Sequence, residues 1–434
     1  MIMTDRTAFA GDSTAAIEAV WRLESTRLIA ALVRIVRDVG LAEDLAQDAL
    51  VAALAQWPDS GIPSNPAAWL MTTAKRRAID QFRRSERQDR SYAAVLRDQG
   101  GEEFVPDFAA AVDHVEDDVL RLMFVCCHPS LTTDAQTTLT LKLVGGLSTR
   151  EIARSFLTTE ATVAQRVVRA KRTLADAGAA LEEPDSAERT RRLAAVLSVV
   201  YLLFNEGYSA TAGDDWMRPA LCDEALRLGR ILGALVPQDA EVHGSSALME
   251  LQSSRLRART GPDGEPVLLL EQDRRQWDRN HLRRGLDALD RAETLAVAAQ
   301  SAVGSYTLQA AIAACHARAE TAADTDWVRI AALYEQLARI SGSPVVEVNR
   351  AVALGMAYGP AAGLTLADQL VDLPALRHYH LLPSVRADLL DKLGRHEEAQ
   401  AEFERAAAMT RNDRERMLLL DRASRLGGAT NPSA

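Results

Sequence analysis

The chain has 434 residues, more than one hydrophobic core commonly serves, so two to four domains are expected. Apolar residues make up 47% and charged residues 25%, ordinary for a soluble protein, while sparse aromatics and abundant alanine favour helix. No apolar run reaches the roughly 20 residues that cross a bilayer, Met1 to Ala10 show no basic-then-apolar leader, four cysteines are too few for a disulfide framework, and the net charge is −10, so the expectation is a cytoplasmic protein with no membrane partner.

The negative total does not exclude nucleic acid, because phosphate binding depends on local clusters of Lys and Arg rather than on their sum. From Lys75 to Arg84 five of ten residues are basic and one is acidic; from Ala161 to Leu174 four are basic and none is acidic. An acidic chain with two short basic patches suits a DNA reader that draws affinity from a larger partner.

In chain order, residues 13–87 form a first helical segment. A helix over about Leu41 to Trp57 sets Asp44, Gln47, Asp48 and Val51 on one side, with Leu41, Leu45, Ala49 and Ala52 towards another. Such an acidic face is either solvated or docks a basic partner. Residues 57–66 carry three prolines and a glycine, which predicts a break in the helix. Asn65 before Pro66 resembles an N-cap with proline at the first helical position, opening a helix to about Arg84. There Trp69, Leu70, Ala74, Ile79 and Phe82 can pack inward and leave the basic residues outside. A cationic surface beside an irregular loop can hold a single strand, with phosphates on the helix and a displaced base in the loop. Residues 88–112 are polar, contain Gly100-Gly101 and Pro106, and read as a linker.

A second helical block covers residues 113–182. Within it Ser148 or Thr149 is placed as a cap, and Ile152, Ala153 and Phe156 share one face of a short helix. Leu157-Thr158-Thr159 makes a turn, and Thr159 can cap a helix from Glu160 to Leu174 whose buried stripe is Val163, Val167, Ala170 and Leu174. Ala153 is small where the two helices cross, as a helix-turn-helix needs. Gln165 and Arg169 lie one turn apart on the exposed side, where amide and guanidinium forks suit adenine and guanine edges. Arg166, Lys171 and Arg172 flank them and suit phosphate oxygens.

Glu182 to Ser186 makes a second joint, and residues 183–434 are again mostly helical. Gly261 to Pro266 is a turn-rich loop leading into Val267-Leu268-Leu269-Leu270. Arg350 to Leu354 and Arg386 to Leu390 open similar helices 36 residues apart, a weak repeat with the small-large spacing of a tetratricopeptide (TPR) hairpin. Cys126, Cys127 and His128 invite a zinc reading, but no second ligand pair follows at finger-like spacing, and core packing is preferred. Asn205 and Glu206, with Tyr201 and Tyr208 nearby, either line a pocket or make helix-end hydrogen bonds. No phosphate-binding glycine loop or nucleophile elbow occurs, so no enzyme, catalytic residue, metal or cofactor is expected.

The order of these parts is diagnostic. Glu43 to Ala49, then Ala68-Trp69-Leu70 leading to Arg77 through Arg84, resembles region 2 of extracytoplasmic-function (ECF) RNA polymerase sigma factors; Leu147 to Leu174 resembles their region 4. Phe124 to Pro129, Tyr201 to Tyr208 and the stretch from Gln272 to Asp278 resemble the subgroup with a long TPR-like extension. The resemblance implies an all-α protein: two small helical sigma domains, then a large helical TPR-like domain. It implies core RNA polymerase and promoter DNA as partners. Asp44, Gln47, Asp48 and Val51 would contact polymerase. Lys75, Arg76, Arg77, Asp80, Arg83 and Arg84, with the loop Ser60 to Asn65 (Ser64 and Asn65 included), would serve the −10 element. Ala164, Gln165, Val168 and Arg169 would face −35 bases, with Arg166, Lys171 and Arg172 near phosphates. In such relatives the extension is thought to control activity, which makes a protein or small-molecule regulator a further expected partner. The alternative is a ligand-responsive helix-turn-helix regulator independent of core polymerase. It accounts for the hairpin and the extension, but not for a second basic helix preceded by an acidic one.

Overall fold

The computed structural model describes residues 6–93, 115–156, 158–179, 186–208, 217–261, 265, 267–410 and 413–429. They are helical almost throughout, as the sequence predicts, and divide into two compact units, 1–199 and 200–434. Residues 94–112 of the expected linker and 182–185 of the second joint lie outside the described residues.

The first unit is built on α1 (Arg6–Val36), whose Leu28, Ile29, Leu32, Val33 and Ile35 are buried. The chain reverses at Arg37, a left-handed residue with φ 55°, and Asp38 caps α2 (Val39–Ser60) by accepting from the Leu41 N–H at 2.7 Å. The predicted break starts later than expected: α2 runs through Trp57 and Pro58 to Ser60. Pro58 removes the backbone bond to the Leu54 carbonyl and its ring presses on the turn before it, and α2 lasts only two residues more. Gly61, at φ 79°, then ends the helix. Asn65 accepts from the Ala68 N–H at 3.0 Å and opens α3 (Pro66–Ala93), which continues past Arg84. Its buried stripe is Leu70, Ala74 and Ala78, while Trp69 and Ile79, expected inside, are half-buried. Trp69 instead packs edge-on against Trp57 of α2, ring centroids 5.2 Å apart. The side chain of Phe82 lies outside the described residues.

α4 (Val115–Cys126) and α5 (Thr133–Leu139) follow, and α5 passes into one π-helical turn, Thr140–Val144. α4 packs on α1, where Arg34 pairs with the buried Asp118 at 2.9 Å. Thr26 of α1 donates to the Val144 carbonyl at 2.9 Å. These contacts join the first three helices to α6 (Thr149–Ser155) and α7 (Glu160–Asp176) in a single packed body.

The second unit takes in the end of α8 (Ser186–Tyr208), then α9 (Pro219–Leu235), α10 (Ala240–Ser253), α11 (Arg279–Ala298), α12 (Ser305–Arg318) and α13 (Trp327–Ser341). Glu250 of α10, 4% exposed, gathers Arg230 of α9 with His281 and Arg284 of α11 at 2.6 to 3.4 Å. The loop after the 3₁₀ turn Leu256–Arg259 is closed by two backbone bonds, Gly261 N–H to Glu265 and Val267 N–H to Arg259. Helical hairpins then follow: α14 (Pro344–Tyr358) with α15 (Pro360–Gln369), and α16 (Leu381–Lys392) with α17 (His396–Met409), closed by α18 (Asp413–Ala429). α14 and α15 touch backbone to backbone. A Cβ on Gly363 would lie 2.4 Å from the Ala351 carbonyl oxygen, so only glycine fits. Arg350 to Leu354 and Arg386 to Leu390, the repeat seen in the sequence, fall within α14 and α16.

Candidate nucleic-acid interface

The hairpin of α6 and α7 follows from its caps. Ser148 accepts from the Glu151 N–H at 3.1 Å while the Glu151 carboxylate accepts from the Ser148 N–H at 2.8 Å, a reciprocal capping box. Thr159 accepts from the Thr162 N–H at 3.1 Å and starts α7. Val163, Val167, Ala170 and Leu174 are all buried, as are Ile152 and Ala153 of α6; Phe156 is half-buried. With that stripe fixed, Ala164, Gln165, Val168, Arg169 and Arg172 are exposed together, and Val168 is left 66% exposed.

Arg166 and Lys171 stand differently. Arg166 pairs with Asp134 of α5 at 3.1 Å and reaches Thr138 at 3.4 Å. Lys171 is drawn to α2, with Nζ 2.7 Å from Glu43 Oε2 and 3.6 Å from Asp44 Oδ1. Lys142 approaches the same Glu43 at 3.8 Å. Two side chains marked for phosphate are thus held by carboxylates of their own chain.

On α2, Asp44, Gln47, Asp48 and Val51 are all exposed and share the predicted face. On α3, Arg76 and Asp80 are exposed and Lys75 is half-buried, while Arg77 pairs with Asp48 at 3.0 Å. α2 and α3 therefore put the acidic and basic candidates side by side. In the connecting loop Ile62 and Ser64 are exposed, and Asn65, also exposed, spends its carboxamide oxygen on the cap. Arg83 and Arg84 lie on α3, with side chains outside the described residues.

Glu43, only 3% exposed, went unnoticed in the sequence as a residue with its own role. The signal was present: Glu43 stands four residues after Val39 and three before Ala46, on the apolar stripe rather than the acidic face. A carboxylate there requires a cation. Elsewhere, Cys126 and Cys127 are buried, and burial pushes the Cys127 thiol up to about 12, consistent with core packing. Among Asn205, Glu206, Tyr201 and Tyr208, the expected pocket takes only Tyr201 directly: Asn205 is exposed and Glu206 pairs with Arg218.

Residues 21–88 match the family Sigma-70 region 2, residues 121–174 match Sigma-70 region 4, and residues 192–293 match a family of unknown function, DUF6596. An uncharacterized protein of Rhizobium meliloti strain 1021 is 44% identical over 386 residues, covering 88% of this chain and 89% of the relative. The ECF RNA polymerase sigma factor SigK of Mycobacterium ulcerans strain Agy99 is 30% identical over 147 residues, 33% of this chain and 74% of its own. SigK of Mycobacterium tuberculosis strain H37Ra is 27% identical over 169 residues, 38% of this chain and 87% of its own.

Proposed function

Because the chain belongs to the ECF family of RNA polymerase sigma factors, we propose that its first unit docks on core polymerase through α2 and reads promoters through α3 and α7. The observation that carries the reading is the face of α7. Ala164, Gln165, Val168 and Arg169 are exposed together over a buried stripe, on a helix whose start is fixed by a side-chain cap. Gln165 and Arg169 offer adenine- and guanine-reading forks in the major groove, with Arg172 beside them for phosphate. Asp44, Gln47, Asp48 and Val51 supply the docking face; Lys75, Arg76, Arg77, Asp80, Arg83 and Arg84, with Ser64 and Asn65, supply the −10 surface.

In this reading the packed unit is a closed state. The −10 and −35 elements lie about 25 base pairs apart, on the order of 85 Å of duplex at 3.4 Å per step. α7 cannot stay clasped to α2 by Lys171 and Glu43 while the two ends of that span are occupied. Opening releases Asp44 for polymerase and Lys171 for phosphate in the same step.

The reading also assigns control of activity to the extension. Purified chain mixed with core enzyme should start transcription at a defined subset of a promoter library, and absence of any start site overturns the sigma reading. Residues 1–182, compared with the full chain in the same assay, test the control separately. Equal activity of the two rules it out.

A further inference from the structure

The second unit holds a cavity of about 390 Å³ between the end of α8 and helices α10, α12, α13 and α14, within the range of small-molecule sites. Its apolar wall comes from Leu248, Leu251 and Ile312, and three aromatic residues, Tyr201, Trp277 and Tyr334, line it. None of its lining residues is acidic.

The polar groups facing this space are unevenly satisfied. His316 is 8% exposed and Trp277 3%, yet neither His316 Nδ1 nor the Trp277 indole N–H has a hydrogen-bond partner among the described residues. Such groups are normally paired; both residues line the cavity, but these two atoms are themselves closed off from water, so they leave its wall under-satisfied rather than offering ready contacts. Arg274 holds the backbone at the end of α12, donating to the His316 and Ala319 carbonyls, both at 2.7 Å. Burial, then the nearby Arg255 and Arg274 cations, push His316 down to about 4, so at neutral pH it is uncharged. Desolvation raises the Tyr201 and Tyr334 phenols to about 12, so both remain donors.

Arg255 supplies the charge. Its guanidinium lies 5.9 Å from the centre of the Trp277 ring and 5.8 Å from that of Tyr208. It bonds the protein through Nη2, to Tyr208 Oη and to Gln252 Oε1 at 2.6 Å, and it forms no ion pair among the described residues. Nε and Nη1 have no protein partner among the described residues, so the Nη1 hydrogens are left to donate to a single anionic oxygen. One cation matches one negative charge, and no glycine-rich loop of backbone N–H groups lines the space as a phosphate would want.

We infer that this cavity binds a small organic carboxylate with an aromatic or otherwise apolar body, its carboxylate on Arg255 and its body against Trp277, Tyr201 and the leucines. This deepens the proposed control by the extension by naming the class of signal. The test reads binding alone, so its failure is distinguishable from failure of the control, which the comparison of residues 1–182 with the full chain measures.

The full chain is titrated calorimetrically at pH 7 with indole-3-acetate, 3-phenylpropionate and octanoate, and with indole-3-acetamide as the uncharged counterpart. At least one carboxylate should saturate a single site, and indole-3-acetamide should bind at least about tenfold more weakly than indole-3-acetate. In Arg255→Gln that preference should vanish. The comparison on the unmodified chain stands even if the variant misfolds. No saturation by any of the three carboxylates up to about 1 mM, or equal affinity for the carboxamide, overturns the inference.

Discussion

Replacing Glu43 by Gln tests whether the first unit is a clasp that opens. Glu43 is 3% exposed; Lys171 approaches it at 2.7 Å and Lys142 at 3.8 Å, with those lysine side chains 18% and 19% exposed. At 2.7 Å and an effective dielectric of 20 the main pair has a gross attraction of roughly 6 kcal/mol. Desolvation of a buried carboxylate takes back several kcal/mol, and the lysines, each about a fifth exposed, can turn their ammonium groups to solvent, leaving a net loss of about 2 kcal/mol in E43Q. That shifts the closed-to-open equilibrium roughly 30-fold. Amides shielded by the α2–α7 contact should exchange with deuterium faster by about that factor. Asp44→Asn should change their exchange by less than about threefold, because Asp44 is 74% exposed and 3.6 Å from Lys171. If, as proposed, polymerase binds only the open fraction, the apparent affinity of E43Q for core enzyme should rise by up to roughly 30-fold. Unchanged exchange in E43Q, or weaker polymerase binding by a folded E43Q, refutes the clasp.

Arg169→Ala should weaken −35 recognition by about 1 to 3 kcal/mol and relax base preference there; a promoter-library selection with unchanged preference counts against the assignment. Asp48→Lys should reduce holoenzyme formation in a pull-down while costing less than about 1 kcal/mol of stability, since its pair with Arg77 is exposed. Ser148→Ala breaks the capping box and should cost about 1 kcal/mol, read as a lower urea midpoint for the first unit. His316, held near 4 when folded and near 6.5 when unfolded, binds fewer protons in the native state between those values. Its contribution is therefore full above about pH 6.5 and lost as pH falls towards about 4, roughly 3 kcal/mol in all. Subtracting His316→Gln from the unmodified chain across that window should recover the slope, and parallel curves would remove it.

The hairpin was legible residue by residue because its determinants are local. Ser148, Glu151, Thr159 and the stripe at Val163, Val167, Ala170 and Leu174 are set by spacing within a single short segment. The acidic face of α2 was legible for the same reason. Pro58 was placed outside because a proline inside a helix loses one backbone bond and crowds the turn before it; α2 carries that cost for only two further residues, an end point that sequence alone does not give. Trp69 was placed inside by its hydrophobicity, whereas the buried stripe of α3 runs through Leu70, Ala74 and Ala78 and leaves Trp69 half-buried against Trp57. The cavity of the second unit was visible only through Tyr201. Arg255, Trp277, His316 and Tyr334 come from segments far apart in the chain, and no periodicity links them.

Charge shows most clearly what spacing cannot supply. A basic cluster on a helix face looks like a phosphate site whether or not its partners are already inside the molecule. Here Lys171 is matched by Glu43 and Asp44, Arg166 by Asp134, Arg77 by Asp48 and, loosely at 3.8 Å on the surface, Arg172 by Asp176, while Arg169 stays exposed. Of these pairs only the one at Glu43 is buried on its acidic side; those of Arg166 and Arg77 also bridge helices, α5 to α7 and α2 to α3, but their carboxylates are exposed and screened by salt. Among the described residues, some of the carboxylates that give the chain its negative total thus occupy Lys171, Arg166 and Arg77. On this account, raising salt should loosen the exposed pairs first and leave the α2–α7 clasp largely intact.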